Sequence, residues 1–457
     1  MKHMPHWFKS LKSSKADKAH NTISENRLII FGRYPVVGRT KTRLIPALGP
    51  AGAAQLQRRL TEQVLQTALS AAWTTPYDLE FCFSGGSYEK VHRWLLSANI
   101  QLTLQFSGDL GQRMYIAMAA AFDRGYSRVI LAGTDVPDLA CDHLAAAFNT
   151  LNHHDLVFGP STDGGYWLVG ARRKLNVFEG ISWSKANVLK NTTALAQKNG
   201  WSVHCLDPLT DMDTLSNLEK WQPGKKWHRP YLSVIIPVLN EEKYLRKTIT
   251  SACTEDTEVI VVDGGSQDAS VALAKEAGAR VISASKGRAS QLNAGARSAK
   301  GQVFLFLHAD TILPKDFVGH IFEALMDVKV SMGAFGFKTD YDKFAMRVIE
   351  KATNIRSRIL QLPYGDQGLF MSRDTFVSLG GFSEVPIAED LFLVRNAASL
   401  GKVKTLKIPT ITSGRSWRKG GIIRTTIANY LVAVGCFLRK SPHDLARLYR
   451  RWTKSSS

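Results

Sequence analysis

The stretch VFLFLHADT, at residues 303–311, constrains the fold of this chain more than any other. It begins with five consecutive apolar residues, too few for a membrane span and suited to a buried parallel strand, and then turns polar at His308 and Asp310. In open α/β sheets, ligands bind at the carboxyl ends of such strands. Asp310 is therefore a candidate ligand for a divalent ion that carries a nucleotide diphosphate. The alternative is that Asp310 caps a helix expected to begin near Pro314.

Length and charge narrow the class of protein. The chain has 457 residues, too many for one ordinary hydrophobic core, which predicts two domains. Its formal net charge of +20 predicts attraction to nucleotides, anionic lipid or nucleic acid. The sequence has no zinc-knuckle, RNA-binding-sheet or basic-zipper pattern. We therefore expect phosphorylated small molecules and a membrane surface as partners, and no nucleic acid.

Cysteines and apolar runs bear on the cellular compartment. The five cysteines are scattered, and none forms a Cys-x-x-Cys pair, which predicts neither a disulfide framework nor a metal cluster and fits a reducing cytoplasm. Residues 1–26 are basic and polar without the apolar core of a secretory signal, so we expect a flexible tail there. No apolar run reaches the length of a spanning helix.

The first half of the chain predicts alternating strands and helices. The strand RLIIFG at residues 27–32 is followed by the loop RYPVVGRTKTRL, which carries Lys41 and Arg43. Basic loops are usually only solvated. A basic, glycine-containing loop directly after a buried strand is nevertheless a suitable place for a phosphate group.

The strand-then-carboxylate arrangement occurs again in this half. The segment RVILAGTDVPDL places Asp135 just after an apolar strand. Near the end of the half, Asp211 and Asp213 alternate on an extended segment, so they point to one face and can share a metal ion with Asp135. The alternative is that Asp213 caps the helix that begins at Leu215.

A second α/β pattern starts after the Pro, Gly and Lys-rich break QPGKKWHRP. We expect one domain at residues 27–222, a linker at residues 223–231 and a second domain at residues 232–457. The strands LSVIIP and EVIVVD in the second domain also end in polar turns. The side chains that follow the strands can therefore converge on one crevice. They are Glu241, Asp263 and Asp310.

Five ordered motifs in the second half resemble those of family-2 glycosyltransferases of the GT-A fold. They are SVIIPVLNEE, VIVVDGGSQD, KGRASQLNAGARSAKGQVFLFLHADT, YGDQGLFMSRDTFVSLGGF and IAED. More narrowly, they resemble the radical-SAM/selenodomain-associated transferases, also described as arsenosugar biosynthesis glycosyltransferases. The resemblance covers Leu232 to about Tyr449 and implies transfer of a sugar from a nucleotide-diphosphate donor. It also implies a divalent cation, Mg2+ or Mn2+, and an acceptor whose identity the residues do not specify.

The first half is similar to a companion family, a GT-A-like domain related to the guanylyltransferase of deazaflavin cofactor biosynthesis. The matching pieces are PVVGRTKTRL, SGDLGQRM, GTDVPDL, GPSTDGGYWLVG, FEGISWS and LTDMDT, from about Leu28 to Leu218. The two resemblances imply a natural fusion of two transferases, an α/β chain of two tandem GT-A domains with mostly parallel sheets. Three functions stay open for the first domain: a nucleotidyltransferase that makes the donor, a second glycosyltransferase, or a non-catalytic binding module. In it, Lys41 and Arg43 would contact phosphates, and Asp135 and Asp213 would hold the metal ion.

The resemblance of the second half assigns roles to individual residues. Asp263 would contact the nucleotide base, and Asp310 would be the closing carboxylate of the metal-binding DXD motif. His308 stands where the first acid of that motif is expected, so a nucleotide contact and packing beneath the loop are both open. The rim of the nucleotide pocket would be formed by Pro237, Asn240 and Glu241.

The acceptor side is assigned in the same way. Glu389 and Asp390 match an acidic pair that activates the acceptor, and Asp390 is the expected catalytic base of an inverting transfer. Basic and aromatic residues that match a diphosphate and acceptor loop could equally be surface groups; they are Arg415, Trp417 and Arg418. The acceptor side would also include Asp366 and Gln367.

The segment from Ile422 to Leu438 is apolar, is interrupted by Arg424 and Asn429, and is followed by several arginines. One interpretation is an interfacial helix that brings a cytoplasmic enzyme to anionic lipid at the inner face of the plasma membrane. The other is an amphipathic helix that covers the sheet of the second domain. The sequence assigns no oligomeric state.

Overall fold

The computed structural model describes residues 24–95, 100–183, 186–221, 231–438 and 440–453. Most of the expected basic tail and the expected linker, except its last residue, lie outside these ranges. The chain divides near residue 227 into two compact units. Each has a mixed, mostly parallel sheet flanked by helices, which confirms the predicted α/β class.

The first unit is built on a seven-stranded sheet with the strand order β3-β2-β1-β4-β6-β5-β7. The strands β3, β2, β1 and β4 are parallel, and β6 runs antiparallel to both of its neighbours. The strands are β1 (Asn26–Arg33), β2 (Asp78–Ser84), β3 (Gln101–Leu104), β4 (Arg128–Gly133), β5 (Leu156–Pro160), β6 (Tyr166–Ala171) and β7 (Val203–Cys205). The helices are α1 (Ile45–Ala71), α2 (Tyr88–Trp94), α3 (Leu110–Asp123), α4 (Cys141–Thr150), α5 (Val188–Lys198) and α6 (Leu215–Trp221).

The second unit has an eight-stranded sheet with the order β10-β9-β8-β11-β14-β13-β15-β12. Its first four strands are parallel, and β14 is antiparallel to β11 and β13. The strands are β8 (Leu232–Val238), β9 (Thr257–Asp263), β10 (Arg280–Ser283), β11 (Val303–Phe306), β12 (Thr311–Ile312), β13 (Val330–Thr339), β14 (Leu369–Ser372) and β15 (Lys402–Thr412). The helices are α7 (Glu242–Ala252), α8 (Ser270–Glu276), α9 (Arg288–Ser298), α10 (Phe317–Leu325), α11 (Phe344–Ile359), α12 (Arg373–Ser378), α13 (Glu389–Leu400), α14 (Arg415–Gly420), α15 (Ile422–Phe437) and α16 (Pro442–Thr453).

The strand β11 lies in the middle of the second sheet, and every residue in it is buried. The ring of Phe306 packs against Phe376 and Phe382, with ring centroids 5.1 and 4.8 Å apart. Burial of a side chain of this size contributes about 2 kcal/mol of stability, and edge-on aromatic contacts add to it. This packing fixes the polar residues that follow the strand.

The helix expected near Pro314 begins three residues later, at Phe317, and Asp316 takes its N-cap position. The carboxylate of Asp310 lies against Arg415 instead. The helix-cap alternative for Asp310 is therefore wrong. In the first unit, Thr214 accepts a hydrogen bond from the backbone N–H of Asn217 at the start of α6.

Candidate active site

A cavity of about 670 Å³ opens in the second unit at the carboxyl ends of β8 and β11. Strand ends form this crevice because parallel strands bring the turns that follow them to one edge of the sheet. Charged side chains of both signs and one histidine line much of the cavity. They are Glu241, Lys286, Arg288, His308, Asp310, Asp366, Glu389, Asp390, Arg415 and Arg450.

The guanidinium of Arg415 joins two carboxylates on one side of this cavity. Its Nη1 and Nη2 donate to the two oxygens of Glu241 at 2.6 and 2.5 Å, and its Nε lies 3.2 Å from Oδ2 of Asp310. Burial raises the pKa of Asp310, and Arg415 opposes that shift. The hydrogen bonds to Glu241 raise the pKa of Arg415. Two acids and one base thus form a compact cluster with a net negative charge.

This acidic cluster is a suitable place for a divalent cation that is shared with substrate phosphates. Within the described ranges no three His, Cys, Asp or Glu side chains are grouped closely enough to hold a metal ion by themselves. Mg2+ usually binds one or two carboxylates and completes its shell with waters and phosphate oxygens. Asp310, with Glu241 beside it, meets that requirement. In the structure, Arg415 forms ion pairs with the same two carboxylates.

Asp390 also lines the cavity, from the first turn of α13. Its Oδ2 accepts a hydrogen bond of 2.6 Å from the backbone N–H of Gly365, and its Oδ1 accepts one from the backbone N–H of Leu391. A Cβ atom on Gly365 would lie 3.0 Å from both Oδ2 of Asp390 and Nε2 of His308. The absence of a side chain at residue 365 therefore lets both groups lie close to the backbone of that residue.

His308 is in its neutral form at pH 7. Burial, together with the charges of Arg288 and Arg415, lowers its pKa well below the usual range. A neutral imidazole cannot supply the negative charge of the acid expected at the start of a DXD motif. The structure places His308 at the cavity wall, where both of the roles considered from the sequence stay predictions.

Two further acids, Asp366 and Glu389, have raised pKa values, so that their ionised forms are disfavoured. Burial raises the pKa of Asp366 to about 7; Arg356 opposes that shift, and Asp390 adds to it. The Oδ1 atom of Asp366 is buried and has no hydrogen-bond partner in the described part of the chain. Burial and Asp390 also raise the pKa of Glu389, whose carboxylate lies 3.6 Å from Arg288.

The side chains of Asp263, at the end of β9, and Asn240, in the turn after β8, accept hydrogen bonds from the backbone of the turn after β9. Both oxygens of Asp263 accept hydrogen bonds from the backbone N–H groups of Gly265 and Ser266. Oδ1 of Asn240 accepts the backbone N–H of Gln267. Neither side chain lines the cavity, whereas Pro237 and Glu241 do. The expected base contact of Asp263 stays a prediction.

One acceptor-side expectation, Gln367, and one nucleotide expectation, Arg418, need correction. The amide of Gln367 is fully buried, with Nε2 donating to the carbonyl of Phe335 at 2.9 Å, so it supports the fold and does not reach the cavity. Arg418 pairs with Asp340 at 2.9 Å and also lies outside the cavity lining. Trp417 does line the cavity, although its ring also packs in the core against Phe337.

Sequence reasoning missed three cations of the cavity, of which Arg450 lies on α16. The other two, Lys286 and Arg288, stand in the segment SKGRAS, a basic, glycine-containing stretch that leads from β10 into α9. In the first half, the basic loop with Lys41 and Arg43 was predicted to bind phosphate because it directly follows a strand. The same criterion applied to this stretch would have found Lys286 and Arg288.

The first unit has a smaller cavity, of about 320 Å³, at the carboxyl ends of β1 and β4. Nζ of Lys41 lies 2.9 Å from Oδ1 of Asp135, 2.9 Å from Oδ1 of Asp213 and 2.9 Å from the carbonyl of Met212. Burial would lower the pKa of Lys41, but the two carboxylates outweigh it and raise the pKa. A lysine ammonium thus occupies the place between Asp135 and Asp213 where a metal ion was expected.

The other charged groups of this cavity are more exposed. The guanidinium of Arg43 is 71% exposed and reaches Asp213 only at 4.0 Å. Burial, together with Asp163 and Asp213, raises the pKa of Asp211. The ion pair with Lys41 and the cap at Thr214 show that Asp213 does not cap α6. Cationic side chains on the cavity lining also include Arg33 and Arg113.

Comparison with family models identifies the second unit. Residues 233–377 match the model described as glycosyl transferase family 2. The chain carries a glycosyltransferase family 2 domain. This match supports the GT-A type expected for the glycosyltransferase unit. Residues 66–185 match a family described as an uncharacterised protein conserved in bacteria, DUF2064.

Named relatives include an undecaprenyl-phosphate 4-deoxy-4-formamido-L-arabinose transferase from Aeromonas hydrophila. It is 30% identical over 151 residues, which are 29% of this chain and 46% of that protein. A similar transferase from Pseudomonas fluorescens is 36% identical over 107 residues, 19% of this chain and 31% of that protein. The chain thus spans less than half of the length of these curated relatives.

Two solved structures are also similar. A protein from Desulfovibrio desulfuricans, provisionally named a nucleotide-diphospho-sugar transferase, has 35% sequence identity and a TM-score of 0.41, covering 45% of this chain and 91% of that chain. A mannosyltransferase from Pyrobaculum calidifontis in complex with GDP-Man and Mn2+ has 19% identity and a TM-score of 0.39. It covers 48% of this chain and 70% of that chain.

Proposed function

We propose that the second unit transfers a sugar from a nucleotide-diphosphate donor to an acceptor, with inversion at the anomeric carbon. The proposal rests on one cavity that is lined by two acidic groups of residues, called the first and second pole below. The first is the pair of Glu241 and Asp310 around Arg415, and the second is Asp390 beside Gly365. The family 2 match gives the class of reaction.

The first pole suits the donor diphosphate. Asp310 and Glu241 would hold a divalent cation, Mg2+ or Mn2+, and such an ion offsets the negative charge that develops on a leaving diphosphate. Arg415 would then contact the diphosphate in place of the carboxylates, because a guanidinium matches phosphate oxygens as well as it matches carboxylates. Lys286 and Arg288 add positive charge to the same cavity.

The second pole suits the acceptor. Asp390 would take the proton of the acceptor hydroxyl while that oxygen attacks the anomeric carbon, and the bond to the diphosphate would break on the opposite face. The backbone N–H groups of Gly365 and Leu391 fix its orientation. Asp366, whose pKa is raised to about 7, would be partly protonated at neutral pH and able to donate a hydrogen bond to the acceptor.

A donor screen on the full chain tests this proposal. Nucleotide sugars would be supplied with Mg2+ or Mn2+, and release of free nucleoside diphosphate would be measured. We expect Asp390→Asn to lower that rate by about 10²–10⁴-fold. The matched control is Asp342→Asn, because Asp342 is 97% exposed and lies outside the cavity lining. Equal rates for the two variants would contradict the assignment of Asp390.

The narrower identity of the substrates is a further part of the proposal. The motifs resemble the arsenosugar-type subgroup, which makes small polar acceptors the first class to screen. The names of the two transferase relatives suggest undecaprenyl phosphate as a second acceptor class. Five free cysteines are consistent with a cytoplasmic enzyme.

For the first unit we propose binding of a nucleotide through its phosphates. Arg33, Arg43 and Arg113 line its cavity, and Lys41 neutralises the neighbouring aspartates. A nucleotidyltransferase that makes the donor is the alternative, and it predicts pyrophosphate release from nucleoside triphosphates and sugar phosphates. That assay is best done on full-length Asp390→Asn, in which consumption of the product is blocked. Nucleotide binding without pyrophosphate release would favour the non-catalytic role.

A further inference from the structure

The helix α11 carries a row of exposed apolar side chains. Phe344, Val348, Ile355 and Ile359 are 86%, 53%, 48% and 72% exposed, respectively. Their spacing places them on one face of the helix. The opposite face, with Met346, packs into the second unit. A single exposed apolar residue is ordinary, but a complete row on one helix indicates a surface that contacts something else.

The helix α15 carries a second row beside the first. Ile423, Ile427 and Val434 are 75%, 40% and 52% exposed, and Leu438 just after the helix is 67% exposed. The two helices are neighbours, because Ile422 at the start of α15 and Ile349 of α11 pack against the same core cluster, which contains Met346 of α11. Further along, the guanidinium of Arg356 lies 5.9 Å from the ring centroid of Tyr430. The two rows together are called the apolar strip below.

Cations border the apolar strip. Lys351 and Arg358 are exposed on α11, Arg424 lies next to Ile423 on α15, and exposed arginines continue along α16. The acidic side chain of α11, Glu350, is buried and accepts the backbone N–H of Thr339. The sequence of α15 contains no acid. This charge pattern favours a negatively charged partner and disfavours a second copy of the same surface.

We propose that the apolar strip docks on an anionic lipid bilayer. Apolar side chains next to lysines and arginines are the pattern of helices that lie in the interface of a membrane, with their apolar face below the headgroups. No described helix of the chain is long and apolar enough to cross a bilayer. The inner side of α15 lines the proposed active-site cavity with Thr425, Asn429 and Val432. Docking would therefore place α15 between the lipid and the cavity.

Flotation of the full chain with vesicles tests the proposal. The vesicles are phosphatidylcholine with and without phosphatidylglycerol. The test variant combines Ile359→Glu and Ile423→Glu, and the matched control is Val377→Glu, because Val377 is 69% exposed on α12, which is not part of the strip. We expect the chain and the control to float with the anionic vesicles and the strip variant to bind at least about tenfold more weakly. Added salt or removal of phosphatidylglycerol should weaken the binding of all three.

Two results would overturn the proposal. One is equal flotation of the strip variant and the control. The other is a strip variant that changes the oligomeric state in light scattering while its flotation is unaltered, which would identify the strip as an interface between copies. Far-ultraviolet circular dichroism checks that both variants keep their helices. The donor assay is independent of this experiment, so loss of lipid binding and loss of transfer activity are distinguishable.

Discussion

Each unit has a central parallel strand that is followed by a carboxylate, and that carboxylate pairs with a cation from a distant part of the chain. The carboxylates are Asp135 after β4 and Asp310 after β11. In the first unit the cation is Lys41, which is 3% exposed and touches three oxygens. In the second it is Arg415, which is 36% exposed at the start of the short helix α14. Lys41 is thus almost fully buried, whereas Arg415 lies at the wall of a larger cavity, where we propose that a bound metal ion takes its place beside the carboxylates.

The backbone supports the same contrast. Lys41 has a φ of 49°, an uncommon left-handed conformation for a residue with a side chain, which its contacts must maintain. Arg415 has ordinary helical neighbours on α14, and its guanidinium also lies 5.2 Å from the ring centroid of Tyr244. We infer that the two sites differ because the cation beside the carboxylate is buried in the first unit and partly exposed in the second. The predictions below test this contrast, from the largest expected effect to the smallest.

Gly365→Ala should lower the rate of nucleoside diphosphate release by up to about a hundredfold. The added Cβ would lie 3.0 Å from Asp390 Oδ2, so the proposed base must move by a few tenths of an ångström, and a misplacement of about 1 Å costs about a hundredfold. The comparison variant is Gly380→Ala, where an added Cβ meets nothing within 4 Å although the backbone φ is positive. Activity of Gly365→Ala near that of the chain itself would argue against Asp390 as the base.

Lys41→Met should destabilise the first unit by about 2–3 kcal/mol, because it leaves two carboxylates facing each other without a counter-ion. Urea unfolding followed by circular dichroism would measure this change. Arg415→Met should cost about 1 kcal/mol or less, since Arg415 is more exposed to water than Lys41. Equal losses of unfolding free energy in the two variants would contradict the proposed difference between Lys41 and Arg415.

Asp366→Asn should change the pH dependence of stability. The pKa of Asp366 is raised from 3.8 to about 7, so the folded chain binds more protons than the unfolded chain between these values. The stability of the chain therefore falls relative to that of the variant as pH rises through this range, by about 3 kcal/mol from pH 5 to pH 8. Denaturant unfolding at both pH values measures the difference. Parallel pH profiles would show that Asp366 titrates normally.

Arg415→Gln should strengthen binding of Mn2+ to the nucleotide-free chain by about tenfold. The variant leaves Asp310 and Glu241 without their cation, and one full charge at this distance is worth roughly 1 kcal/mol or more. Titration followed by electron paramagnetic resonance of free Mn2+ measures the affinity. The matched variant in the first unit is Lys41→Gln. Similar Mn2+ affinities of the two variants would show that the carboxylates of the two units bind the ion equally well.

The sequence was informative about strands and the carboxylates after them. Apolar runs and periodicity predict β11, and Asp310 and Asp135 follow their strands as expected. The pairing of Asp310 with Arg415 was not predictable, since 105 positions separate them in the chain and only the packing of the fold brings them together. Gln367 was assigned to the acceptor side because a motif does not show which hydrogen bonds the fold has already used.

The most direct measurement compares Asp310→Asn with Asp135→Asn in the full chain. Release of nucleoside diphosphate from the donor found in the screen would be measured at several Mn2+ concentrations. The proposal predicts that Asp310→Asn loses about a hundredfold or more in rate and its dependence on Mn2+, because the carboxylate that would bind the ion is gone. It predicts that Asp135→Asn stays within about twofold of the unaltered chain, since Lys41 already neutralises that residue. The reverse order of effects would contradict the assignment of the catalytic metal site to the second unit.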